Sequence, residues 1–302
     1  MKKPNTTLVL LFLLSSGILL SLFAGSQSRP EEKTAIVCFI TGKAWVLEPG
    51  AKELREIDLF DWIKSGATIE TGTGAKLIVA FSTGERHELG GKTKATMTQA
   101  GFTSVSGSIV RLAPAPVMPQ IASISRESKP GSRMSGIRLR GRSAKQEIFN
   151  LYPNGSEAVL ADEAVLSFSN LGEAARFRVE IEDEPGNNIL SLETTSSEVI
   201  ISPGVLKPGA NYYWSVRTLE KDKPASIADA EFTTVEDKNA KARNTFKAQV
   251  YQSKSAADLL LLVEMDMKLG LRKEACKTLE AALSLSPNNE KIIKASYLFG
   301  CR

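Results

Sequence analysis

Among 302 residues there is one histidine, His87, and there are three cysteines, Cys38, Cys276 and Cys301. A lone imidazole with no second ligand in view argues against a metal centre and against a histidine-activated serine or cysteine. Between Arg86 and Glu88, His87 reads as an exposed strand residue. Three scattered cysteines exclude a disulfide framework and a zinc site. Cys38 lies in an apolar run and reads as core. Cys276 and Cys301 read as unpaired thiols, with a bridge between them as the alternative because both lie in a helical C-terminal region. No glycine-rich loop ends in Lys-Ser or Lys-Thr, so no phosphate cradle is expected. Asp183-Glu184 borders a Pro-Gly turn and reads as solvated rather than as a calcium site. Two carboxylates brought together by folding are the one route to an enzyme that spacing leaves open. The expectation is a protein without catalytic residues or cofactor.

The net charge of +4 is modest, and its excess is local. Lys2 and Lys3 open the chain, and Arg126, Lys129, Arg133, Arg138, Arg140, Arg142 and Lys145 face only Glu127 between residues 126 and 145. The remainder leans acidic, which gives no nucleic-acid-binding surface. Leu8 to Ala24 is a 17-residue run without charge. It falls between the length of a secretory signal core and that of a membrane-spanning helix. Residues 1–30 therefore read as a signal peptide or an N-terminal anchor. Length favours retention through residues 8–24, and Ala24-Gly25-Ser26 offers the alternative of cleavage near Ser26. Either way the chain from about Gln27 onward is expected in the periplasm.

Residues 31–112 read as a first β domain. In Ala75–Phe81, Leu77, Val79 and Phe81 form a wholly apolar face, while Lys76, Ile78 and Ala80 form a partly apolar one. Thr71-Gly72-Thr73-Gly74 and Ser82-Thr83-Gly84-Glu85 supply turns on either side. Further apolar runs lie at Ala35–Ile40, Ala44–Leu47 and Val105–Leu112, and Trp62 reads as a core or edge plug. This text resembles the FecR domain of bacterial envelope proteins through Gly66, Ile69, Thr71-Gly72, Leu77 to Phe81 and Gly84, with Gly42 and Val46 fitting its first strand. Ala67 and Thr83 stand where that family usually has Asp. The resemblance implies a compact all-β unit with no catalytic motif.

Residues 113–146, beginning Ala-Pro-Ala-Pro, read as a basic linker. Its arginines Arg138, Arg140 and Arg142 are candidate contacts to an anionic membrane surface or a cell-wall polymer. Residues 147–236 read as a second β domain with short strands at Val165–Phe168, Ala175–Ile181, Ile189–Leu192, Val199–Ile201, Tyr212–Val216 and Ala230–Thr233. Leu206-Lys207-Pro208-Gly209-Ala210-Asn211-Tyr212-Tyr213-Trp214-Ser215-Val216 resembles the Leu-x-Pro-Gly-x-x-Tyr-x-Trp-x-Val text of fibronectin type III domains. The likeness implies that Tyr212 packs across the sandwich corner and that Trp214 and Val216 enter the core. Phe168 is expected to fill the place of an early-strand Trp.

Residues 237–302 switch to helical period. Ala256–Leu269 carries Leu259, Leu262, Val263 and Leu269 on one side with Asp266 among them, and Arg272–Leu285 carries Ala275, Leu279, Ala282 and Leu283. Leu262, Gly270, Ala275, Ala282 and Pro287 keep the offsets of a tetratricopeptide repeat, which the pair resembles, and Glu290–Phe299 is a third helix. One such repeat cannot bury both faces. It is expected to dock on the second β domain or on a partner, with Leu259, Leu262 and Val263 as the contact stripe.

The composite expectation is a mainly β chain with a C-terminal α segment: FecR-like all-β domain, fibronectin type III-like β-sandwich and short helical hairpin. Its expected role is non-enzymatic binding or scaffolding in a bacterial envelope, with an envelope protein or wall polymer as partner. The alternative is a FecR-type signal-transducing regulator of a sigma factor or iron-uptake system. The roughly seven residues ahead of the apolar run offer no cytoplasmic domain for that task.

Overall fold

A computed structural model describes residues 35–98, 101–115, 148–172, 174, 176–219 and 225–301. The expected leader, and the basic segment with Arg138, Arg140 and Arg142, lie outside the described residues. Among the described residues no helix is long and apolar enough to cross a membrane. The described residues form one compact unit, mainly β with four C-terminal helices.

The first ten strands are β1 Ala35–Thr41, β2 Ala44–Leu47, β3 Arg55–Glu56, β4 Trp62–Ile63, β5 Thr68–Thr71, β6 Lys76–Phe81, β7 Arg86–Leu89, β8 Lys94–Thr98, β9 Gly101–Ser106 and β10 Ile109–Leu112. They form two five-stranded sheets, ordered β10-β7-β6-β1-β4 and β3-β2-β5-β8-β9. Val37, Ile40, Val46, Ile69, Leu77, Val79, Leu89 and Met97 fill the space between them. The apolar run Val105–Leu112 is not one strand. It breaks at Gly107 (φ +84°), where a Cβ would lie 2.5 Å from Thr93, and the chain crosses from one sheet to the other. At the start of the expected linker, Ala113–Ala115 still lie on this domain: Arg86 Nε donates to Ala113 O at 2.9 Å and the Ala115 N–H to Gly84 O at 2.8 Å.

The second domain comprises β11 Ile148–Tyr152, β12 Ala158–Val159, β13 Val165–Asn170, β14 Phe177–Asp183, β15 Asn188–Thr194, β16 Glu198–Ile200, β17 Asn211–Thr218 and β18 Ile227–Thr234. A three-stranded sheet β11-β13-β16 faces a five-stranded one, β12-β18-β17-β14-β15. This is a fibronectin type III-like sandwich. Trp214, Val216, Phe168 and Tyr212 are buried in its core, and the Lys207 N–H donates to the Tyr212 hydroxyl at 2.7 Å, closing the corner. Trp214 Nε1 donates to Pro153 O at 2.9 Å, so the indole is both packed and satisfied.

The helices are α1 Asp237–Ser253, α2 Ala256–Lys268, α3 Arg272–Leu285 and α4 Glu290–Leu298. The helical hairpin expected from sequence, α2 and α3, carries α4 after it and is preceded by α1. The inward residues of α1 are Asn239, Arg243, Phe246 and Val250, two of them polar, so it shows little apolar periodicity. Arg243 reaches Asp266 of α2 with both carboxylate oxygens bonded, at 2.8 and 3.1 Å, and neither side chain touches solvent. Asp266 is therefore no flaw in the α2 stripe. Burial holds its carboxyl pKa above the ordinary value, an effect the Arg243 guanidinium only partly offsets.

The stripe itself docks mainly on the first β domain, rather than on the second or on a partner. Leu259, Leu262 and Val263 are buried in a core that takes Ile36 and Cys38 from β1, Ile78 and Ala80 from β6, and Ala158, Leu160 and Val235 from the second domain. Sheet β10-β7-β6-β1-β4 is thus covered on both faces, and the partly apolar side of β6 is the reason. Cys276 and Cys301 are joined, S–S 2.01 Å, contrary to the expectation of free thiols: α4 folds back beside α3 and brings their Cα atoms to 5.3 Å. Cys38 is a buried free thiol, pushed up to about 12 by burial, and is chemically quiet.

Candidate functional site

The residues singled out from sequence do not converge. Leu259, Leu262 and Val263 are interior and offer no contact surface, because the β1 and β6 side chains already cover them. His87 is not the exposed residue expected. Its ring packs edge-on against Phe81 and Phe102 at 5.5 and 5.7 Å, and this burial lowers its pKa. Trp62 holds the sheet edge at 38% exposure, with the Lys268 ammonium 4.5 Å from its ring centroid. Among the described residues no group of three or more His, Cys, Asp or Glu could hold a metal ion.

What folding does create is an open groove of about 980 Å³ where the first β domain meets α1 and the start of α2. One bank is Arg86 with Ala113–Ala115; the other is Ala242, Thr245, Phe246, Gln249, Gln252 and Ser253, with Ser255 and Asp258 beyond the α1–α2 turn. Lys254 turns the chain there in a left-handed conformation (φ +50°). Ser253 Oγ donates to Val250 O at 2.8 Å and accepts from the Ser255 N–H at 3.4 Å, which ties the turn back onto α1.

The floor is ionic and self-neutralised. Arg86 Nη1 lies 2.5 Å from Asp258 Oδ1, and the two side chains are only 11% and 1% exposed. Arg86 also holds Ala113 O through Nε, so one guanidinium fixes β7, the outgoing chain and α2 together. Its planar fork suits three-way bracing of this kind. The other polar lining groups are the amides of Gln249 and Gln252 and the hydroxyls of Thr245, Ser253 and Ser255. They offer both donors and acceptors, without net charge. Sequence reasoning missed this site. Its one advance signal was Asp258 in the first turn of a helix directly before the apolar run Leu259–Val263, since a buried Asp258 demands a buried cation.

No family model matches the chain. No curated protein matches it either. Among solved structures, CopC from Methylosinus trichosporium OB3b is similar at 20% identity, over 30% of this chain and 94% of that one, with a TM-score of 0.26. The fibronectin type III domain of human collagen alpha-1(XX) is similar at 16% identity over 32% and 84%, with a TM-score of 0.24. A two-domain fibronectin type III segment of chicken tenascin is similar at 8% identity over 68% and 87%, with a TM-score of 0.23.

Proposed function

We propose that this chain is a non-enzymatic binding or scaffold protein of the bacterial envelope. In this reading a FecR-like first domain and a fibronectin type III-like second domain are held by a tetratricopeptide-like helical unit. Its binding site is the groove, and its partner is an extended segment of another envelope protein. The observation that carries the reading is the groove's chemistry. Its two ionisable lining residues, Arg86 and Asp258, are spent on each other, while glutamine amides and hydroxyls line the open side. Such a lining recognises a polypeptide backbone by hydrogen bonds and leaves no group poised for bond making. The Cys276–Cys301 bridge supports an oxidising compartment.

The test is in-cell photocrosslinking from Gln249 and Gln252, with Ile200, exposed on the second domain, as the control position. The same envelope protein captured from both groove positions, absent from Ile200 and lost on Thr245→Arg, is the expected result. A cytoplasmic sigma factor in the adduct, adducts equal at all three positions, or a hydrolytic activity of the purified chain that needs Arg86 would overturn the proposal.

A further inference from the structure

The two sheets of the first domain have unequal outer faces. β6 is buried from Leu77 to Phe81, because α2 lies over its outer side. In the facing sheet, β3-β2-β5-β8-β9, burial alternates instead. Ala44 and Val46, Ile69 and Thr71, and Ala95 and Met97 are buried, and the residues between them are partly or fully exposed. A strand of period two that alternates in this way has one face on the core and the other in water.

Strand register sorts the open face into two rows. One runs Leu47, Thr68, Thr96, Thr103 across β2, β5, β8 and β9, each directly opposite the next. The hydroxyls of Thr68 and Thr96 share a single hydrogen bond at 3.3 Å, which leaves one O–H and several lone pairs to act outward. The other row runs Trp45, Glu70, Lys94, and its two charges are joined to each other at 2.6 Å. Threonine is ordinary on an open strand, so the indole is the informative group. Its rim rests over Gly72, with Cη2 and Cζ3 each 3.6 Å from where a Cβ at that position would stand. The bare backbone of Gly72 thus seats a partly exposed ring against the sheet. Trp45 and Leu47 form an apolar strip beside a line of hydroxyls, on a face whose central charges cancel.

From this face we infer a binding platform for an uncharged polysaccharide in flat, extended form, a β-1,4-linked chain of pyranoses. A pyranose carries an apolar face of C–H groups and a rim of hydroxyls. The face stacks on an indole, and the rim exchanges hydrogen bonds with threonine hydroxyls. Neighbouring strands lie about 4.8 Å apart, close to the length of one sugar, so successive rings follow the threonine row from strand to strand. An anionic polymer gains nothing at this face, since Lys94 is already held by Glu70. The platform shares no residue with the Arg86–Asp258 groove, and the inference stands or falls separately from the proposed partner site.

The probes are cellohexaose and chitohexaose, two flat β-1,4 chains, titrated into the purified full chain by calorimetry, with maltohexaose, an α-1,4 chain that coils, as control. Saturable binding of at least one flat chain is expected, with maltohexaose at least about tenfold weaker. Trp45→Ala is expected to abolish that binding. Thr96→Val, which keeps the branched outline and removes one hydroxyl, is expected to weaken it about threefold to tenfold, with its urea midpoint measured to confirm the fold. Tyr213→Ala, at an exposed aromatic of the second domain, and Thr245→Arg in the groove are expected to leave it unchanged. Equal binding of maltohexaose, full affinity in both Trp45→Ala and Thr96→Val, no saturation by either flat chain by about 2 mM, or self-association of the chain that Trp45→Ala disperses overturns the inference.

Discussion

The helical unit touches both β domains, and the two contacts are built differently. Against the first domain it sets side chains: the Ile36, Cys38, Ile78 and Ala80 face under α2, the buried Arg86–Asp258 pair, the Phe60–Phe299 stack at 5.8 Å, and Asn289 Nδ2 donating to Ile40 O at 3.1 Å. Lys291 adds Glu56 and Asp58 at the rim, at 2.9 and 2.7 Å. Against the second domain, from which Ala158, Leu160 and Val235 enter the same apolar core, it adds backbone hydrogen bonding and longer ion pairs. The Ala158 N–H donates to Gly270 O at 2.9 Å, while Arg272–Glu157 and Lys273–Glu198 span 3.5 and 3.9 Å. The chain enters α1 directly from β18, so the second domain is held by covalent continuity. The first domain, far off in sequence, is held by noncovalent contacts. Long-range contacts carry the larger share of specific side-chain chemistry here because no neighbouring peptide bond does the positioning.

That contrast is broken most sharply at the buried pair. Arg86→Ala leaves Asp258 charged and unpaired in the interior, and is expected to cost about 3–5 kcal/mol in urea denaturation. Arg86→Met with Asp258→Leu, which removes both charges, is expected to recover most of it. At the other contact, Glu157→Gln removes the ion pair with Arg272, which is 48% exposed and still donates to Phe299 O and Gly300 O, and is expected to change stability by less than about 1 kcal/mol. Equal losses at the two contacts would erase the distinction.

The next largest effect tests the helical unit itself. The Cys276–Cys301 bridge closes a loop of sequence separation 25 that holds α4, and with it Asn289, Lys291 and Phe299, against the first domain. Cys301→Ser is expected to cost about 3 kcal/mol in thermal or urea unfolding. In chain recovered from cells with free thiols blocked at lysis, mass spectrometry without reduction is expected to find Cys276 and Cys301 unlabelled.

How much of this could be read in advance follows the same division. The second domain announced itself because Tyr212, Trp214 and Val216 alternate in one strand, and a strand's period of two points them to one face whatever else is present. Most of its strands begin and end close to their expected positions. Helix α1 was hidden because half of its inward positions are Asn239 and Arg243, polar residues whose partners are supplied by folding. The joining of α2 to the first domain was half visible. Ile78 and Ala80 on the second face of β6 signal a strand covered on both sides, but nothing in the text says by what. The groove was invisible, since Arg86 and Asp258 are 172 residues apart and each is ordinary in its own segment.

Gly270 tests the second contact. Its φ is +76°, and a Cβ would stand 3.2 Å from Ser156 O and 3.3 Å from the Ala158 Cβ. Gly270→Ala therefore combines a left-handed alanine with a crowded approach, and is expected to cost about 2 kcal/mol. If the contact is backbone-built, Ser156→Ala, which keeps the carbonyl, is expected not to relieve that cost, as measured by paired urea titrations.

The smallest effect places a pH response in the first domain. Burial against Phe81 and Phe102 lowers the pKa of His87 below its ordinary value near 6.5, with Glu85 partly opposing and Arg111 adding to the shift. The unfolded chain takes up the proton near 6.5 and the native chain only at lower pH. Above that value both forms are neutral and the residue contributes no slope. As pH falls through 6.5, the unfolded state binds more protons than the native one and stability declines. The decline levels off below the native pKa, where both states are charged. As the sole histidine, His87 makes this window specific to one ring. The urea midpoint of the wild-type chain is expected to fall between pH 7.5 and 5, and that of His87→Phe, which keeps the aromatic packing, to stay flatter. A native imidazole resonance titrating at or above 6.5 reverses the sign and removes the explanation.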